Sequence, residues 1–377
     1  MESSFVDCHC HISAREFEED LGDVIQRTTE AGVETLVAVT EEVREFSRVL
    51  QLQERYPDLV APCFGVHPLQ GIEGPERRSV KPQLLMKKAF PQDLDVAVPQ
   101  FYKHSERLVA VGEIGLDFTP WCAPTQQDRD DQMKVFIKQL DVAKELDLPV
   151  NVHSRSAAKV TIATMRERGV GRALLHNFAG KPSVALEGVR AGYLFSFPPA
   201  VCRNQQRDKL IQQIPLEHIC LETDSPALGL DQHVRNEPAN IVLSCRYIAD
   251  VKGLPPQTVQ LVTTQNAKRL FPKMSRKFPS RAHPSQPVIA RHEVKRGEQV
   301  SNHSQSRSTH IATLPAPDRP MQSKHTNRSA SVSQNFLRLS SKCLLSGSLA
   351  GGDLSLQAAL RCGPAVRAVR RAGLVRR

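Results

Sequence analysis

Eight parallel strands, each followed by a helix and closed into a barrel, with a basic tail lacking fixed structure behind them, is the fold this sequence predicts. Three observations carry it. Eight short runs, most of them apolar on both faces, alternate with helical patterns, and strands covered on both sides read that way. The first 274 residues are close to the usual size of such a barrel, about 250 residues. Residues able to ligate a metal recur just after these runs, and in a barrel the strand ends share one face.

The elements follow in order. Ser4-Phe5-Val6 opens the first strand, which ends in Asp7-Cys8-His9-Cys10-His11. Glu16 to Ala31 sets Phe17, Leu21, Val24, Ile25 and Thr28 on one stripe at helical spacing, and Gly32 stops it. Thr35–Val39 is the second strand. Helical Glu41–Tyr56 leads to Leu59–Val66, and a longer segment leads to Arg107–Val111. Gln126–Leu146 is a long helix before Pro149–Val152; Ala157–Arg168 precedes Ala173–Leu175; Pro182–Ala191 precedes Tyr193–Phe197; Asn204–Gln213 precedes Ile219–Leu221. Residues 240–271 add further helix. Eight units close a (β/α)8 barrel of the TIM type, and an open doubly wound sheet fits less well because no Gly-x-Gly-x-x-Gly turn occurs.

Charge divides the chain in two. Residues 275–377 hold 18 Lys+Arg against 4 Asp+Glu, whereas residues 1–274 hold 32 against 36. The net charge of +10 therefore belongs to the tail and gives no broad positive field to the folded part. A barrel over 1–273 and a Ser/Arg-rich extension over 274–377 are expected, the extension disordered by composition. The five arginines in Arg367–Arg377 could bind RNA, an acidic partner or nothing specific. The loop from Gly71 to Val98 carries Arg77, Arg78, Lys81, Lys87 and Lys88, read as a solvated face, with a rim for an acidic substrate as the lesser reading. Nine scattered cysteines without Cys-x-x-Cys spacing suggest a reducing compartment. No signal-peptide pattern and no eighteen-residue apolar run occur. An intracellular monomer of nucleus or cytoplasm, with no membrane and no protein partner, is expected.

The chemistry sits at the strand ends. His9 and His11 are one residue apart, so on a strand both side chains point the same way, and Cys8 and Cys10 should face the opposite side as core. His67 follows strand three, Glu113 strand four, His153 strand five, His176 strand six and Asp224 strand eight. His67 alone reads as a core histidine, but so many ligand-type residues at one barrel end do not. Four imidazoles (His9, His11, His153, His176) and two carboxylates exceed what one catalytic zinc takes and suit two divalent ions bridged by Glu113. Asp224 can hold an ion or accept a proton from a bound water. Two ions about 3.5–4 Å apart activate water and clamp both oxygens of a phosphoryl displacement. Arg155, Arg235 and Asn236, with His67, are assigned to the substrate phosphate, since arginine's planar fork suits a diester. Arg235 could instead pair with a nearby carboxylate such as Glu237. Asp7 and Glu222 flank ligands and are read as orienting them.

At these residues the chain resembles the TatD family of metal-dependent deoxyribonucleases. Asp7-Cys8-His9-Cys10-His11, Gly65-Val66-His67-Pro68, Gly112 to Asp117, His153-Ser154-Arg155, Glu222-Thr223-Asp224-Ser225-Pro226, Arg235-Asn236-Glu237-Pro238 and Thr264-Gln265-Asn266-Ala267 match in order, over residues 1 to about 273. The resemblance implies a barrel with His9, His11, Glu113, His153, His176 and Asp224 as ligands of Mg²⁺, Mn²⁺ or Zn²⁺. It also implies 3′ exonuclease or abasic-site cleavage of DNA. Leu69, where the family often has a polar residue, and Phe118, where it has tyrosine, depart from the pattern. Two other readings stand beside it. A small-molecule amidohydrolase shares the His-x-His barrel but commonly bridges its metals with a carboxylated lysine at strand four. A non-catalytic nucleic-acid-binding protein would be driven by the tail.

Overall fold

Strands buried along their whole length need cover on both faces, and here helices supply it outside a single cylinder. The computed structural model describes residues 4–71, 86–203 and 205–275. The strands are β1 (Phe5–Cys10), β2 (Val33–Val39), β3 (Val60–Phe64), β4 (Leu69–Gly71), β5 (Met86–Lys88), β6 (Ala110–Gly115), β7 (Val150–His153), β8 (Ala173–Leu175), β9 (Leu194–Phe197) and β10 (Ile219–Leu221). The helices are α1 (Leu21–Glu30), α2 (Phe46–Arg55), α3 (Asp93–Lys103), α4 (Gln126–Glu145), α5 (Ala158–Glu167), α6 (Pro182–Arg190), α7 (Asp208–Gln213), α8 (Ile241–Lys252) and α9 (Pro256–Leu270). Eight parallel strands run in the order β1-β2-β3-β6-β7-β8-β9-β10, and β4 pairs antiparallel with β5 as a separate hairpin. The eight predicted strands are all present.

Local chemistry fixes the ends. Thr125 and Asp128 form a reciprocal capping box at the start of α4. Pro182 begins α6, where its missing N–H costs nothing. Gly253 takes the left-handed conformation that ends α8.

The alternation of strand side chains divides the core. Val37 and Val39 of β2 join Val6, Cys8, Ala61, Cys63, Leu174 and Cys220 in one cluster, while Leu36 and Ala38 join Phe64 and the α2 residues Phe46 and Val49 in a larger one. The first is the barrel lumen and the second the layer between strands and helices. Ala267, Leu270 and Phe271 complete the lumen cluster, so the end of α9 is its floor. Thr264 Oγ1 donates to the Ser4 carbonyl at 2.7 Å, and Asn266 Nδ2 donates to the carbonyls of Leu216 and Ile219 at 2.9 and 2.8 Å. Those oxygens lie at the starts of β1 and β10, opposite the end that carries the histidines.

The barrel closes where β1 meets β10. Asp224 N–H donates to the His9 carbonyl at 2.9 Å and His11 N–H to the Ser225 carbonyl at 2.8 Å. The buried Asp7 carboxylate accepts from both the Thr223 N–H, at 2.9 Å, and the Thr223 hydroxyl. Two metal-type residues, His9 and Asp224, thus sit on the closing seam itself.

Four expectations change. The register of β1 against β2 shifts between Asp7 and Cys10, so strict alternation breaks. Cys8 faces the lumen and Cys10 the helix layer, although both are core as expected. Strand four runs to Gly115, with Glu113 inside it and not after it. The long segment before it holds α3, which contains Pro99 and so lacks a clean helical signature. Lys88 is committed to Asp128 and Asp131 at 2.7 and 3.0 Å, which removes it from any substrate rim. Arg77, Arg78, Lys81 and, beyond Ser275, the tail lie outside the described residues, and nothing is described of the Lys87 side chain.

Replacing Asn266 by alanine takes a donor from the buried Ile219 carbonyl and from the part-buried Leu216 carbonyl, which keeps the Ile219 N–H, so the unfolding free energy of the full chain should fall by about 1–3 kcal/mol. Urea denaturation measures this. Mn²⁺ binding by the folded variant should stay at the wild-type value, because the floor and the site are at opposite ends.

Candidate metal centre

Glu113 is a buried carboxylate with imidazoles on both of its oxygens. Around Oε1 stand His176 Nε2 at 2.8 Å, His153 Nδ1 at 2.9 Å and His67 Nε2 at 3.3 Å. Facing Oε2 are His9 Nε2 and His11 Nε2, each at 3.5 Å. Asp224 Oδ1 closes the second set, 3.7 Å from His9 Nε2 and 3.4 Å from His11 Nε2. The rings of His9 and His176 stack at 3.7 Å between centroids, at the border of the two sets. All six expected ligand residues therefore converge. His67, assigned to the substrate phosphate, lies inside the same cluster with Glu113 and His153. Glu41 also presents a carboxylate oxygen within 4.8 Å of a His11 nitrogen and a Glu113 oxygen. Its role escaped the sequence because it begins a helical pattern.

The backbone beneath Glu113 is tightly drawn. A Cβ on Gly112 would stand 2.5 Å from the Asn151 carbonyl oxygen, and one on Gly115 would stand 2.0 Å from that of His153. Only glycine lets β6 lie this close to β7. Asp224 (φ 53°) and Asn177 (φ 42°), the residue after His176, adopt the left-handed region, which costs about 1–3 kcal/mol for such residues and concentrates at functional sites.

Three of the histidines are held from behind. Asn151 Nδ2 donates to the Cys8 carbonyl at 2.8 Å, which fixes the amide so that its oxygen faces His9 Nδ1 at 2.9 Å. His9 Nδ1 must then carry the proton, and Nε2 keeps its lone pair for an ion. His67 Nδ1 lies 2.9 Å from the Leu69 carbonyl oxygen and 3.1 Å from the Leu69 nitrogen, so the Leu69 backbone holds this ring in place. Asp117 Oδ2 stands 3.2 Å from His153 Nε2, and Gln132 clamps Asp117 by its backbone N–H and carbonyl. Glu222 accepts from Asn177 N–H at 2.8 Å and from the Ser196 hydroxyl at 2.6 Å, so both of its oxygens are engaged, in keeping with an orienting role. Asn151, Asp117 and Asn177 carry no signal in a single sequence beyond adjacency to a ligand.

The electrostatics keep Glu113 and Asp224 ionised, whereas burial lifts Glu222 to about 8 and Asp7 to about 7. Burial alone would raise Glu113, but His67, His176 and His9 hold it well below the usual range. Burial would raise Asp224 too, yet His11, His9 and His176 keep it at about 2. Burial is opposed in the same way at two imidazoles: bonds to Asp117 and Glu113 raise His153 to about 9, and the bond to Asp224 with the Glu41 and Glu113 charges raises His11 to about 10. His176, lowered to about 4 by burial and by His9, is neutral at pH 7. His9 Nε2 and His176 Nδ1 are buried and have no hydrogen-bond partner among the described residues. Ionised carboxylates and unsatisfied imidazole nitrogens together fit divalent cations, the imidazoles suiting Zn²⁺ and the carboxylates Mg²⁺ or Mn²⁺.

A profile of the family described as TatD related DNase matches residues 6–272. The chain belongs to the TatD-related DNase family. Among curated TatD relatives, the putative deoxyribonuclease tatdn3 of Danio rerio is 63% identical over 274 residues, covering 73% of this chain and 99% of that protein. The deoxyribonuclease TATDN3 of Homo sapiens is 52% identical over 269 residues, 71% of this chain and 95% of its own. The crystal structure of YJJV, a TatD homolog from Escherichia coli K12, superposes with a TM-score of 0.60 at 27% identity, covering 72% of this chain and 99% of that one.

Two of the TatD motif residues expected at the phosphate are committed elsewhere. Arg235 forks onto Asp20 at 2.7 and 2.5 Å, donates to the Glu16 carbonyl at 2.6 Å and lies over the Phe17 ring. The pairing with a nearby carboxylate therefore holds, with Asp20 in place of Glu237, which Arg27 takes at 2.7 Å. Asn236 is buried, donating to the Thr223 carbonyl at 2.8 Å and accepting from Asn240, so it braces the turn that carries Asp224. Arg155 is exposed on the rim, its carbonyl accepting from Phe118 N–H.

Asn151→Ala should weaken Mn²⁺ binding by about 10- to 100-fold, the usual effect of losing a group that orients a ligating histidine. Competition against a fluorescent chelator reads it out, and an unchanged affinity would remove Asn151 from that role. Protons and the ion compete for His11 and His153, which carry protons at pH 7, so affinity should fall as pH drops from 9 to 6 and binding should release protons. Calorimetry in two buffers of different ionisation enthalpy counts them, and a pH-independent affinity would speak against imidazole ligation.

Proposed function

We propose that this protein is a two-metal deoxyribonuclease that removes nucleotides one at a time from the 3′ end of single-stranded DNA and cuts at abasic sites. The observation that carries it is the partition of Glu113: each oxygen faces its own imidazole set, as a bridging carboxylate requires. One ion would take His9, His11 and Asp224, the other His153 and His176 with His67 beside them. When bound, Mg²⁺, Mn²⁺ or Zn²⁺ supplies an activated water and neutralises charge on the attacking and leaving oxygens.

The residues then have separate tasks. Glu113 stays ionised and holds the two sets together. Asp224, kept at about 2, is far from the pH-7 range that suits a general base, so of its two possible roles, ligation is favoured. Asp117 and Asn151 keep the rings of His153 and His9 in register. Strand four carries Glu113 where the amidohydrolases commonly place a carboxylated lysine, which separates this site from the amidohydrolase reading. An excess of Asp+Glu over Lys+Arg in residues 1–274 gives no broad attraction for duplex, so recognition should be local, through one or two phosphates and a strand end or unpaired site. The names of the fish and human relatives, both deoxyribonucleases, support DNA as the substrate.

His9→Ala, Glu113→Ala and Asp224→Ala should each cut DNA hydrolysis by more than about 100-fold while keeping a cooperative thermal transition. Chelator should abolish activity and Mn²⁺ or Mg²⁺ restore it. On an end-labelled single strand, stepwise mononucleotide release is expected, and a 3′ block should stop it. Random internal fragments from blocked and unblocked strands alike would refute the polarity, and faster turnover of a lactone or amide than of any DNA would favour the amidohydrolase.

A further inference from the structure

We propose that Arg207, held by Asn177 beside the metal centre, grips a non-bridging oxygen of the substrate phosphate. The inference rests on the phosphodiesterase reading above and supplies the cation that Arg235 does not.

Arg207 ends the turn Gln205–Arg207 just ahead of α7. That segment follows β9, so it belongs to the same barrel end as the ligands. Its Nη1 donates to Asn177 Oδ1 at 2.7 Å. Asn177 directly follows His176, has its left-handed backbone fixed by the bond from its N–H to Glu222, and thereby ties the guanidinium to the ligand strand ends. The carboxyl groups that face Arg207 are Glu222, which burial lifts to about 8, and the ionised Asp224.

The plain alternative is that Arg207 merely neutralises those carboxylates. Geometry speaks against it. No carboxylate oxygen among the described residues lies within ion-pair distance of the guanidinium, and both Glu222 oxygens are already engaged by Asn177 and Ser196. A guanidinium offers five donors in a rigid fork, and the structure uses one of them on Asn177. Arg207 is also partly buried, and that burial lowers its pKa despite the acidic neighbours. A half-buried arginine with most of its fork unspent, fixed next to a carboxylate-rich ion site, has the chemistry that recognises a phosphate. Arg155 stands exposed on the rim, and the other arginines near the segment after β10 are spent: Arg203 donates to the Gly229 and Leu230 carbonyls, Arg235 to Asp20 and Arg27 to Glu237. Asn177 is then a positioning residue, acting through Arg207.

The test uses the full chain loaded with Mn²⁺, and inorganic phosphate as the probe. Arg207→Ala should weaken phosphate binding, read by calorimetry, by about tenfold to a hundredfold, and raise KM for a single-stranded oligonucleotide more than it lowers kcat. Mn²⁺ affinity should be unchanged. Arg207→Lys keeps the charge without the fork and should fall between; it carries the test if the alanine variant loses its cooperative thermal transition. Added methylguanidinium should restore part of the alanine variant's activity. Wild-type phosphate affinity in Arg207→Ala, or a parallel loss of Mn²⁺ affinity, would overturn the proposal. If the wild-type protein cleaves no DNA, the deoxyribonuclease reading fails by itself, and the phosphate titration still decides the role of Arg207.

Discussion

A carboxylate buried among five imidazoles is the constraint on which this structure turns. Moving Glu113 out of water is costly unless opposite charge surrounds it, and no lysine or arginine does so among the described residues; histidines and, on ligation, a cation must. That requirement explains the crowding at one barrel end. Glycines at 112 and 115 bring β6 against β7, the β1 bulge turns His9 and His11 inward, and left-handed residues after β8 and β10 aim His176 and Asp224. Each of these departures lies within a few residues of a candidate ligand, where strain is expected to be kept by the surrounding fold.

The same residues close the barrel. β1 and β10 are joined by His9–Asp224 and His11–Ser225 backbone bonds and by Asp7 to Thr223. The seam and the metal centre are thus one piece of structure: a rotation that disturbed the seam would move three ligands at once. The opposite end is independent of this, because α9 seals the lumen through Asn266 and Phe271. A floor that carries stability and a rim that carries chemistry is the division of labour the barrel permits.

Much of this was legible in the sequence. All eight barrel strands and the six candidate ligand residues follow from apolar runs and from where histidine and carboxylate fall near their ends, since burial on two faces and convergence at one barrel end are periodic, local signals. What escaped has a common physical cause. Asn151, Asp117 and Gln132 act through contacts between distant segments, and nothing in their immediate neighbours marks a side chain that will orient a ring 142 residues away. Strict alternation failed at Cys10 because a bulge is set by pairing with β2, not by β1 alone. Helix α3 was hidden by Pro99.

The arginines show the limit most clearly. Arg235 and Arg207 are both basic residues in segments leading to or from a ligand strand, and sequence order favoured Arg235 because it stands in a motif with Asn236. In space the motif serves another end. Asp20, just before α1, captures Arg235; Asn236 braces the turn of Asp224; and Arg27 takes Glu237. Together they lock the segment after β10 onto α1, so the motif positions the ligand and is not the surface that meets phosphate. An arginine already bound in two parallel hydrogen bonds to a carboxylate would have to give both up to hold a substrate, whereas one with a single amide partner would not. Free donors, rather than proximity in the chain, decide which cation can bind.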